Sequence, residues 1–461
     1  MRKIILLLFI STIGLAQDKE LPLGKITDSL LISGDRGTYA VYLPTTYSEE
    51  KKWPVIMVFD PSGRGELAVS HFIEASEKYG YIIAGSNNVK NATYQENFNI
   101  ARAFYAEVLS RYSTDDNGIY LGGFSGGARL ASAIAVISKN IKGVLACGAS
   151  FANNNTYMPK RNSFLYVGIV GDEDFNYREM KSADDYLNKL KFDSDLLIFS
   201  EGHVWPPKHF ITKGVRLLTL KSMTRNILPK NEEKIKQFYT EDLEFNRDLV
   251  NKNEMLYAYR DLEAMKENYR FYFEKDSIKD LQKEVKRTKN YRTQRNSQYY
   301  VDEIEPSYYM DYLNYLPRDI AAAELESLGY WEGEIISLNK DFINSPDPAK
   351  QKMGKRLISF LTVVPSELEA SYNEEENLQN LLYINIFKTI ITPKEYDAYL
   401  KVLKYTVKKG DYGMALFYLE KMLKNDFKDV DQLNNQEGIT LLRIQPEYND
   451  LLEAYGLETM Y

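Results

Sequence analysis

Apolar positions in the first half of the chain come in short, dense runs, separated by polar segments with helical spacing. Tyr39 to Leu43 alternates, as a half-buried strand does, and Val55 to Phe59 is unbroken, as a strand buried on both faces is. Helical spacing covers Ala68 to Tyr79, with Phe72, Ile73 and Ala75 inward and Gly80 as the stop. The pattern then predicts a strand over 81–84, a helix over about 95–112, a strand over 119–121 and a helix over 128–137. Strands over 143–146, 164–170 and 196–199 follow, with a helix over 177–190 between the last two and a closing helix over 210–218. Strands alternating with helices predict the α/β class: a mostly parallel sheet covered on both faces. Any site is then expected beyond the carboxyl ends of the strands.

The alternation stops after Leu228-Pro229. Residues 232–461 carry long helical patterns, and their aromatics recur at helical spacing, as in Tyr308, Tyr309, Tyr312 and Tyr315. That stripe predicts helix packing. Lys275 to Arg295 is charge-dense and predicts a solvated helix and loop. The expected organisation is an export signal over 1–16, an α/β domain over 17–228 and an all-α, solenoid-like domain over 229–461.

The chain has 461 residues, 44% of them hydrophobic and 27% charged, so it has the means to bury sizeable cores and does not read as disordered. A net charge of -7 argues against a general nucleic-acid binder. At the N-terminus, Arg2 and Lys3 precede an apolar run from Ile4 to Ile10, with Gly14 and Ala16 before a cut at Gln17. This predicts a secretory signal, too short to span a membrane, and hence a periplasmic or secreted protein. No later stretch reads as a membrane span. Cys147 is the single cysteine, which excludes an intrachain disulfide and reads as a packed strand residue.

The chemistry centres on Gly123-Phe124-Ser125-Gly126-Gly127, which lies between a predicted strand and a predicted helix. A G-x-S-x-G turn holds a serine at a sharp apex, and the glycines make room for the crossing strand and helix. A serine nucleophile needs a base. Of three histidines, His71 falls inside a helix pattern and His209 opens a helix. His203 lies in the loop after the strand ending near Phe199, so it is the expected base, with His209 in reserve. Gly171-Asp172-Glu173-Asp174 follows another strand and supplies the acid: Asp174 is preferred and Asp172 is the alternative. The order Ser125, Asp174, His203 is that of an α/β-hydrolase. The oxyanion hole is expected from the backbone N–H of Gly126 and, because Pro61 has none, of Ser62. Arg64, Asn87, Arg129 and Trp205 are the candidate substrate-binding residues. No metal or phosphate motif appears, and the predicted chemistry needs no cofactor.

These residues resemble the α/β-hydrolase superfamily. Within it they are similar to the secreted esterases of the polyhydroxybutyrate-depolymerase, feruloyl-esterase and dienelactone-hydrolase kind. The resemblance covers roughly residues 30–220 and is carried by the Ser125 elbow, by Gly171 to Asp174 and by His203-Val204-Trp205-Pro206. It implies Ser125 as nucleophile, His203 as base, Asp174 as acid and a small-molecule or polymeric ester as substrate. The chain departs from the family pattern at Asp60-Pro61, where His-Gly is common. In the second half, Gly410 to Leu416 resembles the second helix of a tetratricopeptide repeat, with Ala415, Leu419 and Met422 at its packing positions. Phe427 stands where that repeat has proline. Such a domain implies binding of a protein partner, shaping of the substrate entrance, or docking on the hydrolase. A peptidase, an acyltransferase and a non-catalytic binding protein on the same fold are the competing expectations.

Overall fold

The apolar runs of the first half assemble into one eight-stranded sheet in a computed structural model that describes residues 21–458, residue 153 excepted. The export-signal segment 1–16 lies outside the described residues. The strands are β1 (Ile26–Leu31), β2 (Thr38–Tyr42), β3 (Trp53–Phe59), β4 (Ile82–Ser86), β5 (Thr114–Phe124), β6 (Gly143–Cys147), β7 (Leu165–Gly171) and β8 (Ser194–Phe199). Their order is β1-β2-β4-β3-β5-β6-β7-β8, antiparallel at β1/β2 and β2/β4 and parallel elsewhere. The direction of winding reverses around β3, which pairs with β4 on one side and β5 on the other. The loops leaving β3 and β5 therefore face a common crevice, where open α/β sheets place their sites.

Helices α1 (Gly65–Ser70), α2 (Ile73–Tyr79), α3 (Tyr94–Arg111), α4 (Gly126–Ile137), α5 (Tyr177–Lys189) and α6 (Lys208–Thr224) cover the two faces. Three details differ from the sequence expectation. The edge strand β1 carries no clean alternation and has a register shift, so it left no periodic signal. The expected helix over 68–79 is two helices broken at His71 and Phe72. Strand β5 begins at Thr114, its first residues being polar and partly exposed.

The helices of the second half are α7 (Glu232–Asn251), α8 (Met255–Asn268), α9 (Asp276–Arg287), α10 (Lys289–Ala322), α11 (Leu328–Leu338), α12 (Pro348–Ser371), α13 (Leu378–Ile391), α14 (Tyr396–Lys408) and α15 (Tyr412–Lys424). Short helices α16 (Val430–Asn435), α17 (Thr440–Arg443) and α18 (Pro446–Ala454) end the described chain. The core under the sheet does not stop at residue 228. Ile235, Phe238, Leu262, Met265 and Tyr269 belong to the same buried cluster as Leu145, Val215 and Leu218. Between these helices and α6 lies a buried charge network. Arg216 donates through Nε to Asp242 at 3.0 Å, Lys213 pairs with Asp261, and the Tyr269 hydroxyl donates to Asp242 at 2.6 Å. Burial pushes the Asp242 carboxyl up, but Lys213, Arg216 and Tyr269 outweigh it and hold it below its ordinary value.

Helices α10–α13 build a separate core around Trp331, Leu361 and Phe387, and α14, α15 and the short helices build a third around Leu403 and Leu419. The stretch with repeat-like spacing is the second arm of the α14–α15 hairpin. Gly410 takes the left-handed φ of +76° between the arms, and the Asp411 side chain caps α15 by accepting the Met414 N–H. No helix among the described residues is long and apolar enough to cross a membrane.

Candidate active site

Strand β5 ends at Phe124 and α4 begins at Gly126, which leaves Ser125 alone at the turn with φ 52° and ψ -121°. A positive φ on a serine is strained, and close packing on both sides maintains it. A Cβ on Gly127 would fall 2.1 Å from the Phe59 carbonyl oxygen, and one on Gly123 would fall 2.5 Å from the Gly127 backbone. The Ser125 N–H donates to the Cys147 carbonyl at 2.8 Å, tying the elbow to β6. The Cys147 thiol is fully buried, and burial pushes its pKa far up. Gly126 is the first residue of α4, so its N–H has no intrahelical acceptor and stands at the positive end of the helix.

His203 lies between the serine and the acid. Its Nε2 is 3.0 Å from the Ser125 hydroxyl, and its Nδ1 is 2.9 Å from Asp174 Oδ2. Asp174 is buried, and its other oxygen accepts the Asn176 N–H at 2.8 Å. The imidazole is flanked by Phe124 at 4.7 Å and Phe175 at 4.5 Å between ring centres. The loops carrying Asp174 and His203 are packed together. Asp172 N–H donates to the Phe199 carbonyl at 2.8 Å and Glu173 N–H to the Glu201 carbonyl at 3.0 Å. A Cβ on Gly171 would fall 2.2 Å from the Glu201 oxygen.

Asp172 faces away from the imidazole. Its Oδ2 accepts from the Ser200 hydroxyl at 3.0 Å, the Tyr257 hydroxyl at 2.9 Å and Lys352 Nζ. His209, the reserve base, packs against Phe210 and Phe245, and burial pushes its pKa down. His71 stacks on Trp205 with ring centres 4.9 Å apart.

The other expected site residues are occupied structurally. The Ser62 N–H is turned to Asp60 Oδ1 at 2.9 Å, and the Gly63 N–H to the Asp60 carbonyl at 3.1 Å. An aspartate at the start of a loop captures the amide two residues on. In this arrangement the Ser62 N–H is thus engaged within its own loop. Arg64 holds both Asp60 oxygens, each at 2.9 Å, and Trp205 Nε1 donates to the same carboxylate at 2.9 Å. Burial alone would raise the Asp60 pKa, but these donors lower it on balance. Trp205 also stacks on Phe124, with ring centres 5.3 Å apart. Asn87 bonds Asp28, Thr38 and the Gly65 N–H, which pins the loop. Arg129 spends its guanidinium on Glu179, at 2.6 and 2.8 Å, and on the Phe151 carbonyl.

Two residues near the site were not foreseen. The Asn91 carboxamide lies against Gly126, since a Cβ there would fall 2.4 Å from Asn91 Oδ1. The Asn91 N–H is held by the Pro61 carbonyl at 2.9 Å. Tyr309 of α10 feels both Glu179 and Arg129, and burial, first of all, raises its pKa. In sequence, Asn91 is one more polar loop residue, and Tyr309 is one of many tyrosines at helical spacing.

No model of a known protein family matches the chain. No curated protein matches it either. Among solved structures, a mutant of the feruloyl esterase module from Clostridium thermocellum, complexed with sinapinate, is 18% identical; the match covers 41% of this chain and 86% of that one, with a TM-score of 0.35. An S-formylglutathione hydrolase from Staphylococcus aureus is 13% identical, covering 45% of this chain and 99% of that one, with a TM-score of 0.36. Est1E from Butyrivibrio proteoclasticus is 12% identical, covering 41% and 94%, with a TM-score of 0.33. Likenesses this low fix no property of this chain. The fold class stands on the chain's own sheet order and strand–turn–helix at Ser125: an α/β-hydrolase fold, followed by an all-α region.

Proposed function

We propose that the protein is an exported serine hydrolase that cleaves carboxylic esters through an acyl-enzyme. The observation that carries this reading is the continuous contact from the Ser125 hydroxyl through His203, 3.0 Å away, to the buried Asp174 at 2.9 Å. Ser125 Oγ attacks the ester carbonyl carbon while His203 Nε2 takes its proton. The C–O bond to the alcohol then breaks, and that oxygen receives the proton from His203. Water, deprotonated in turn by His203, attacks the acyl-enzyme and releases the acid and free Ser125. Asp174 holds the imidazole in the tautomer that has Nδ1 protonated and stabilises the imidazolium that forms. No step calls on a metal or cofactor.

The developing oxyanion is received by the Gly126 N–H and, in place of Ser62, by the Asn91 side chain rotated to present Nδ2. The reading is supported by the position of Asn91 against Gly126 and by the lack of a free amide at Ser62 or Gly63. Replacing Asn91 by Ala is expected to lower kcat by about 100-fold, the usual effect of losing one such donor. Ser125→Ala is expected to abolish both p-nitrophenyl ester cleavage and labelling by a fluorophosphonate. Persistence of both in that variant rules out the assignment. The export half of the proposal rests on the residues from Arg2 to Ala16. It predicts a mature N-terminus at Gln17, readable by sequencing protein recovered from outside the cytoplasm.

A further inference from the structure

The acid of the site is gripped from the helical half. Helix α12 presents Lys352, Lys355 and Arg356 at i, i+3 and i+4, one face of a helix, to the loop Gly171 to Asp174. Lys352 Nζ pairs with Asp172 Oδ2, and Lys355 Nζ lies 2.8 Å from Glu173 Oε1. Arg356 reaches further in. Its Nη1 donates to the Asp172 backbone carbonyl, while Nε and Nη2 hold Glu305 of α10 at 2.6 and 2.8 Å. The guanidinium lies 4.5 Å from the centre of the Tyr177 ring. Arg356 and Glu305 are both almost fully buried, at 3% and 2% side-chain exposure. From α8, the Tyr257 hydroxyl donates to the same Asp172 oxygen at 2.9 Å.

The other side of Asp174 is held as well. Phe175, the next residue, packs against the apolar core of α10–α13, and its ring is one of the two that flank His203. The carboxylate that orients the imidazole is thus bracketed. Two residues upstream, ion pairs and a buried arginine fix the peptide; one residue downstream, an aromatic anchors it in the helical core. The catalytic half supplies its own bracing for the histidine loop through Trp205 and Asp60. The acid loop is braced from its own half by Ser200, Phe199 and Glu201, and from the helical half by α8 and α12.

From this we propose that Lys352 and Arg356 of α12 are positioning residues: they set the Asp174–His203 contact, and so make the helical half a working part of the active site. The proposal rests on the serine-hydrolase reading for its kinetic consequence, though not for its geometry. A carboxylate displaced by even an ångström misaims the imidazole, and misplacement on that scale costs up to about 100-fold in rate. Because Asp174 acts on the reacting groups and not on substrate binding, the loss falls on kcat and spares KM.

The test uses the full chain. Lys352→Met is expected to lower kcat on a p-nitrophenyl ester, and the rate of fluorophosphonate labelling of Ser125, by about 10-fold with KM unchanged. Lys352→Arg is expected to restore most of the loss. Lys352→Met combined with Asp172→Asn is expected to be no slower than the slower single variant, because both remove one contact. Arg356→Met alone would leave Glu305 buried without its partner, so it is made together with Glu305→Gln, with thermal unfolding followed alongside. A second readout is the downfield imidazole N–H proton resonance from the Asp174–His203 bond, whose exchange with solvent is expected to speed up in each variant. Unchanged kcat, labelling and proton exchange in both Lys352→Met and the Arg356/Glu305 double variant would overturn the proposal. If the unaltered protein is not labelled at Ser125, the serine-hydrolase reading falls. In that case the proton resonance alone decides whether α12 sets the contact.

Discussion

Helices α7–α9 and helices α11–α18 follow the same sequence grammar and relate to the sheet in opposite ways. The first group merges with the α/β domain: Phe238, Leu262 and Met265 pack in the sheet's own core, and Asp242 and Asp261 receive Arg216 and Lys213 of α6 below the surface. The second group keeps cores of its own around Trp331 and Leu419, and α12 reaches the hydrolase mainly through charged tips on the acid loop. The change of pattern at residue 228 marks where the alternation of strands and helices ends, not where the core ends. One helical stretch carries folding and the other carries adjustment of the site.

The largest expected effect tests that division directly. A chain ended at residue 228 bares Tyr79 and Phe210, against which Phe238 and Phe245 of α7 pack, and is expected to be insoluble. A chain ended near residue 300 keeps that cover, and is expected to be soluble and to hydrolyse esters slowly for want of α12. Soluble, fully active protein from the shorter chain would erase the distinction. Next in size, Asp242→Ala takes a buried partner from Arg216 and from the Tyr269 hydroxyl and is expected to cost about 3–5 kcal/mol in urea unfolding. Leu419→Ala opens a hole in the third core and is expected to cost about 3 kcal/mol in the helical array, while kcat at 25 °C stays unchanged. A matching loss of kcat would mean that the array is coupled to the site by more than the acid-loop contacts.

The smallest effect concerns acid. Glu369 of α12 is partly buried, which alone would raise its pKa, but Lys388, Lys401 and Asn385 lower it from 4.5 to about 2. A carboxyl lowered on folding contributes stability that is complete above its unfolded value and disappears as pH falls through its folded one. The α12–α14 contact is therefore expected to weaken between pH 4.5 and about 2. Comparing urea midpoints at about pH 6 and about pH 3, Glu369→Gln should show a shallower fall than the parent. An equal fall would shift the acid sensitivity to the hydrolase half.

Much of the first half was readable because its residues are constrained locally. Unbroken apolar runs such as Val55 to Phe59 have no other stable place than a buried strand, and an elbow with glycines on both sides of Ser125 admits few conformations. The pairing of Asp174 with His203 could be ranked but not decided, because Asp172 two residues earlier has the same chemistry. What separates them is Lys352, Tyr257 and Arg356, which lie far along the chain. At Ser62 the sequence does not show that Asp60 captures the amide, because nothing in the spelling of the loop says which way that side chain turns. Strand β1 escaped because an exposed edge leaves no periodic pattern. The helical half was legible as helix but not as architecture, since apolar faces at 3.6-residue spacing do not name their partners.

Cys147 gives the molecule a clock. Its thiol is sealed beneath the Ser125 turn, and its own carbonyl holds the Ser125 N–H. A thiol reagent reaches it only when β5, β6 and the helices over them part. The rate of modification in excess reagent then counts how often the neighbourhood of Ser125 opens, with a single residue and no engineered label. A substrate or covalent inhibitor that stabilises the closed site should slow that count, and loosening α12 should leave it nearly alone.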